Sequence, residues 1–282
     1  LNPEATVGYE VGLKSKLTKN SGLQLTAFYN DKFDFIVSRR VTVADQTGRL
    51  VEKRMYINQD YARIRGVEVQ YFQRIGNWFD GQISFGYQVA TGKSNTAAES
   101  ALQIVNTGAV ELTQEQYLAW DRPIDIKTNM TFKTDTTWGW AKNFRLFIMG
   151  TYKSGLRYTP YEQNGIDELT GRPIYERQDE QPFSEIGTPW FWFDVRLTRD
   201  FFLNRKRTSY VGIYVECKNL FNTDNAAIIN GVTGDAYYPG DPLPFDTRNP
   251  RFPSPIDSGT PPDNPARFLQ PRQLLFGVNF NF

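Results

Sequence analysis

The sequence has 282 residues, 15% of them aromatic, with 32 basic and 31 acidic residues, a net charge of +1 and a mean hydropathy of −0.51. No apolar run approaches the ~20 residues of a membrane-spanning helix, and so balanced a charge carries no nucleic-acid signal. The single cysteine, Cys217, excludes an internal disulfide, and the absence of histidine excludes His-based triads and His metal sites.

At this length the chain is one large domain or two small ones. It opens within a strand-like pattern and shows no signal peptide. That predicts either a removed leader or, preferably, the C-terminal part of a longer protein. Val7, Tyr9, Val11 and Leu13 alternate with Gly8, Glu10, Gly12 and Lys14, the two-residue period of a strand. After a polar turn at 18–22, Leu23, Leu25, Ala27 and Tyr29 continue the pattern, followed on the same parity by Phe33, Phe35 and Val37. The stretch 38–60 holds its own hairpin signal at 45–48. A third strand ends at 66–71, and its apolar parity switches at Arg65-Gly66, which predicts a β-bulge there.

A turn at 75–78 leads to a fourth strand with Ile83, Phe85, Tyr87 and Val89 on one face. The insertion 92–121 is expected to hold short helices over 96–105 and 113–120. A fifth strand follows with Ile124, Ile126, Met130 and Phe132, then a turn at 135–143 and a sixth strand with Phe144, Leu146, Ile148 and Tyr152. Beyond the acidic insertion 155–189, Phe191, Phe193, Val195 and Leu197 mark a seventh strand. A basic turn at 204–207 joins it to an eighth, with Val211, Ile213, Val215 and Cys217. The Pro-, Gly- and Asp-rich stretch 223–265 precedes the last strand. There Leu274, Phe276, Val278, Phe280 and Phe282 oppose Gln273, Gly277, Asn279 and Asn281.

Short turns and long connections therefore alternate. In an antiparallel sheet this gathers all short turns at one end and all long loops at the other, as in outer-membrane barrels. A soluble sandwich has no reason to segregate loop length, and no blade-length repeat marks a propeller. The expected fold is an all-β transmembrane antiparallel barrel of about nine strands, with short periplasmic turns and long extracellular loops. Trp78, Phe79, Trp138, Trp140, Phe201 and Phe202 are expected in the periplasmic aromatic girdle, and Tyr152, Trp190 and Phe191 in the outer one. The inward parity carries Glu10, Lys14, Asp34, Glu68, Asp125, Lys127, Arg145, Lys153, Asp194, Arg196, Glu216 and Lys218, a wet or plugged lumen. Nine is odd, whereas single-chain bacterial barrels have even strand counts, so these strands are expected to form an arc.

Several stretches resemble the C-terminal barrel of TonB-dependent outer-membrane receptors. They are Leu1-Asn-Pro-Glu4 with Tyr9-Glu-Val-Gly12, Gly66-Val-Glu68, Tyr152-Lys-Ser-Gly155 with Tyr158-Thr-Pro160, Asn219-Leu-Phe-Asn222, and Pro271-Arg272 with Phe276-Gly-Val278 and Phe282. The resemblance implies that residues 1–282 are the C-terminal part of a barrel of about 22 strands, with the N-terminal plug and remaining strands elsewhere. It implies the outer membrane of a Gram-negative bacterium and import energised through the TonB complex by the missing N-terminal part. Its implied partners are outer-membrane lipid and lipopolysaccharide, the barrel-assembly machinery recognising Phe282, and, from the extended loops of the Bacteroidetes type, a surface lipoprotein. Trp120-Asp-Arg122 resembles a family stretch that continues to a histidine, which this chain lacks, and no role is assigned to it.

No phosphate loop, Cys/His metal set or nucleophile with a plausible base is present, so no catalytic residue and no enzyme activity are expected. Tyr158, Tyr161, Trp190, Trp192, Tyr237 and Tyr238 suit stacking on a sugar or aromatic ligand, and more readily girdle or loop packing. Asp167, Glu168, Asp179 and Glu180 suit calcium, the only cofactor considered, and equally Asp/Gly turns. Two functions stay open: a substrate-gated importer, and a structural or adhesive barrel that presents loops.

Overall fold

The computed structural model describes residues 1–44, 46–93, 115–169, 171, 173–178, 180–238, 241–242 and 267–282. Nine long strands make one antiparallel sheet in chain order. They are β1 (Ala5–Thr18), β2 (Ser21–Ala44), β3 (Leu50–Ile75), β4 (Phe79–Gly92), β6 (Ile124–Lys133), β7 (Phe144–Lys153), β12 (Trp190–Phe202), β13 (Tyr210–Lys218) and β14 (Gln273–Asn281). Among the described residues, five short strands lie in the long connections. β5 (Gln116–Tyr117) adds to the outer end of β4, β8 (Arg157–Tyr158) pairs with β11 (Glu185–Ile186), and β9 (Tyr161–Ile166) pairs with β10 (Pro173–Arg177). Among the described residues β1 pairs only with β2 and β14 only with β13, so the sheet is open.

Residues opposite each other in an antiparallel ladder share a face. One such row runs Leu13, Leu25, Val69, Phe85, Ile126, Tyr152, Phe191. The row beside it runs Gly12, Thr26, Glu68, Gly86, Asp125, Lys153, Trp190. The two faces keep this difference to the last strand, where Val215 pairs with Phe276 and Glu216 with Leu275. Phe276 is 74% exposed on the apolar face, as are most of the large exposed apolar side chains. In water such a surface would aggregate; in hydrocarbon it is the lipid-facing side. On β4 the uncharged outward stretch from Phe79 to Val89 rises about 25 Å at a barrel strand's usual tilt, the height of the apolar band of outer-membrane barrels.

Aromatic rings close that band at the short-turn end, where Trp78, Phe79 and Phe132 cluster at centroid distances of 5.0 to 6.3 Å. At the other end Phe221 packs on Phe191 and Phe193. Trp190 departs from the expected girdle, because it lies on the polar parity opposite Lys153 and under the loops. On the polar face two aromatics lie across glycines of the neighbouring strand. A Cβ at Gly22 would run into the ring of Phe72, and one at Gly277 into that of Tyr214. The missing side chain is what lets each ring lie flat along the wall.

Two expectations need correction, the bulge at Arg65-Gly66 and the helix over 113–120. The ladder between β3 and β4 is continuous through Arg65 and Gly66, so no bulge lies there. The irregularity lies between Lys32 and Ile36 of β2, where Asp34 has φ 61. The hairpin expected within 38–60 is present, and it is the outward continuation of β2 and β3, Ala44 opposite Leu50. Of the helices in 92–121, 96–105 lies outside the described residues, and in the second region Gln116–Tyr117 is extended and pairs with β4.

Candidate functional site

Above the band the polar face meets a layer of loops. Ala62 and Ala90 point under that layer and are fully buried with Leu118, while Phe35 and Ile64 pack against them. This explains the apparent parity switch at Arg65-Gly66. The alternation holds, but the covered side changes once the chain leaves the bilayer.

The loop layer is fastened by a buried ion pair. Asp121 and Arg157 meet at 2.6 Å with side chains 0% and 7% exposed. Asp121 also accepts the Ala90 amide at 2.9 Å, and the Arg157 guanidinium lies 3.6 Å from the centre of the Tyr117 ring. Burial pushes the Asp121 carboxyl above the usual carboxylate range, against the hydrogen bonds from Arg157 and Ala90. The neighbouring Arg122 stacks at 3.4 Å on Trp190, whose indole N–H donates to the Ala226 carbonyl at 2.6 Å. Burial lowers the Arg122 pKa.

Three buried asparagines fix the last loop by satisfying backbone groups that have no ladder partner. Asn219 donates to the carbonyls of Thr223 and Gln270, Asn225 bridges both backbone groups of Phe191, and Asn230 accepts from Val232 and donates to Pro242. Asn219 was visible in sequence only as part of the Asn-Leu-Phe-Asn stretch. Asp121, Arg122 and Arg157 were not recognisable as partners, since 36 residues separate the ion pair.

The six candidate aromatics divide between the wall and the loops. Trp190 and Trp192 sit together on the lumen face, edge to face at 5.4 Å. Trp192, Asp194, Lys218 and Asn219 border a groove of about 270 Å³. Tyr158 and Tyr161 lie close against Gly234 and Gly231, and Tyr161 is near enough to Tyr237 to act on its hydroxyl electrostatically. Tyr238 packs on Phe268 at 5.6 Å. Burial raises the pKa of Tyr158, Tyr237 and Tyr238.

Of the acidic set, Asp167 accepts the Leu169 amide at 2.9 Å and its carbonyl accepts Gly171 N–H, a turn at the β9–β10 tip. Glu168 and Glu180 are exposed in turns, and Asp179 lies outside the described residues. Among the described residues no three acidic side chains converge in a way that could hold a metal ion.

Below the loops the polar face carries ion pairs from strand to strand. Asp125 lies between Lys127 and Lys153 at 3.3 and 3.5 Å, Asp80 between Arg74 and Lys133 at 2.6 and 2.7 Å, and Arg196 beside Glu216 at 3.7 Å. Exposed pairs of this kind contribute ~0–1 kcal/mol each. Their consequence is a hydrophilic wall, which includes a groove of about 350 Å³ bordered by Glu68, Ser84, Trp120, Arg122 and Lys127.

Residues 1–108 match the family model described as TonB dependent receptor-like, beta-barrel. No curated protein sequence matches the chain. The fold is similar to the outer membrane transporter YddB from Escherichia coli, with a TM-score of 0.54 and 16% identity over 83% of this chain and 30% of that one. It is similar to P. aeruginosa FpvA, solved bound to a pyoverdine–iron complex, with a TM-score of 0.55 and 11% identity over 100% and 28%. It is also similar to the ferric-catecholate import receptor Fiu of E. coli, with a TM-score of 0.51 and 16% identity over 100% and 28%. The chain thus spans less than a third of the length of each of these solved proteins.

Proposed function

We propose that the chain is one wall of an importer, part of the β-barrel of a TonB-dependent receptor of the Gram-negative outer membrane. Residues 1–282 supply the C-terminal nine strands, strands from outside this chain continue the sheet at its open edges to about 22, and a separate plug fills the lumen. Unpaired backbone in hydrocarbon costs several kcal/mol per group, which favours continuation at both edges. Substrate is received under the loop layer, where Trp190, Trp192 and Arg122 offer stacking surfaces and charge, and passes down the lumen when TonB engages the plug side. The observation that carries this reading is the polar face, whose charges of both signs suit a water-filled or plugged passage.

The test is competitive growth of a strain lacking the full-length gene, across a panel of scarce nutrients, with and without TonB. An importer gives a nutrient-specific defect that disappears when TonB is already absent. A defect that adds to TonB loss, or none on any nutrient, supports a barrel that only presents loops.

A further inference from the structure

The lipid-facing parity of the nine strands is uncharged in the half nearest the short turns, with one exception among the described residues. Arg199 stands opposite Phe144 on one side and Ile213 on the other, one row above Phe201 and Val211. A charge on that face is tolerated near an interface and costly toward the midplane, so its presence calls for a partner. Asp200 does not serve: it belongs to the opposite face and pairs with Arg145 at 3.3 Å. The Arg199 guanidinium has five N–H donors, yet among the described residues it makes one hydrogen bond, to the Trp140 carbonyl at 3.3 Å, and no ion pair. Phe144 and Phe201 flank it at 4.8 and 5.2 Å.

The surroundings are cationic. Asp200 N–H donates to the Asn143 carbonyl at 3.0 Å, which holds turn 134–143 beside β12. That turn carries Lys142, and the neighbouring turn carries Arg205 and Lys206, while Arg207 lies toward the other face, 5.1 Å from the centre of the Phe202 ring. The opposing acid, Asp135, is engaged by the Thr137 amide and hydroxyl at 2.7 and 2.5 Å. Trp140, 85% exposed, forms one side of the site.

We propose that Arg199 and the two basic turns form a binding site for an anionic phospholipid of the leaflet on the short-turn side. The forked guanidinium takes the headgroup phosphate through two donors. The acyl chains lie on Leu146, Leu197 and Ile213 of the same face, and the basic turns hold the rest of the negative headgroup. The inference rests on the sheet being a membrane wall.

The test uses the full-length protein in nanodiscs containing phosphatidylglycerol or phosphatidylcholine with brominated acyl chains. Quenching of Trp140 is isolated by difference from Trp140→Phe. Wild-type protein should reach half-quenching at a phosphatidylglycerol fraction on the order of fivefold lower than that for phosphatidylcholine, given the usual gain per cation near an anionic surface. Arg199→Gln should lose that preference, Arg199→Lys should keep part of it, and the lumen-facing Arg145→Gln should keep all of it. Equal half-points in the wild type, or a preference that survives Arg199→Gln, would overturn the site while leaving the membrane wall intact. Failure of either lipid to quench Trp140 would overturn both.

Discussion

At the scale of single residues, the Asp121–Arg157 pair has the largest expected effect. Leaving one partner of a buried ion pair uncompensated costs roughly 3–5 kcal/mol. Arg157→Gln should therefore release the loop layer, seen as faster hydrogen exchange at the Ala90 amide with no change in the unfolding midpoint of the wall. Because burial raises the Asp121 pKa, the docked state holds its proton more tightly than the open state does. Its contribution is complete at acid pH and declines as pH rises from the ordinary carboxylate range, near about 4, through the raised value. The protection factor of the Ala90 amide, which removes the intrinsic base-catalysed rise in exchange, should show that slope in the wild type and not in Asp121→Asn. Phe282, 91% exposed and stacked parallel on Phe280, belongs to a different class. Burial of its ring contributes at most roughly 1.5–3 kcal/mol. If it is an assembly signal, Phe282→Ala should lower outer-membrane yield and leave the unfolding midpoint of the protein that arrives nearly unchanged.

At the scale of elements, the nine strands and the sidedness of their turns were legible because alternation survives wherever one face meets lipid and the other water. It misled where neither holds. Arg65-Gly66 looked like a bulge because Ala62 and Ile64 are covered by Leu118 and the loops, while Gly66 is required by the Tyr87 carbonyl oxygen on the neighbouring strand, into which a Cβ would run, with the ring of Phe28 beside it. The true irregularity was hidden at Asp34, since aspartate is one of the few side chains that accepts positive φ. It is held by Asn58, which donates to the carbonyls of Asp34 and Asn2 at 2.7 and 2.9 Å and accepts the Asn2 amide at 2.7 Å. Asn58→Ala removes all three bonds, a loss of about 1–3 kcal/mol. It should loosen the outer hairpin locally, with faster exchange at Ile36 and an unchanged β3–β4 ladder. The loop contacts were not legible at all, because contacts such as Asn225 with Phe191 carry no periodic signature.

At the scale of the whole molecule, two unlike faces make substitutions at adjacent positions unequal. Phe85→Arg, toward lipid, should cost about 2–4 kcal/mol, while Ser84→Arg, toward the lumen, should cost little. Guanidinium unfolding of the reconstituted full-length protein separates the two. The polar face of that wall carries rings laid across bare backbone, as Phe72 lies over Gly22 and Tyr214 over Gly277. Seen as heredity rather than mechanics, each such pair is a single inherited unit. A larger residue at 22 can enter the lineage only after, or together with, a smaller one at 72. Related sequences should therefore show the two positions changing in step, although 50 residues of chain separate them.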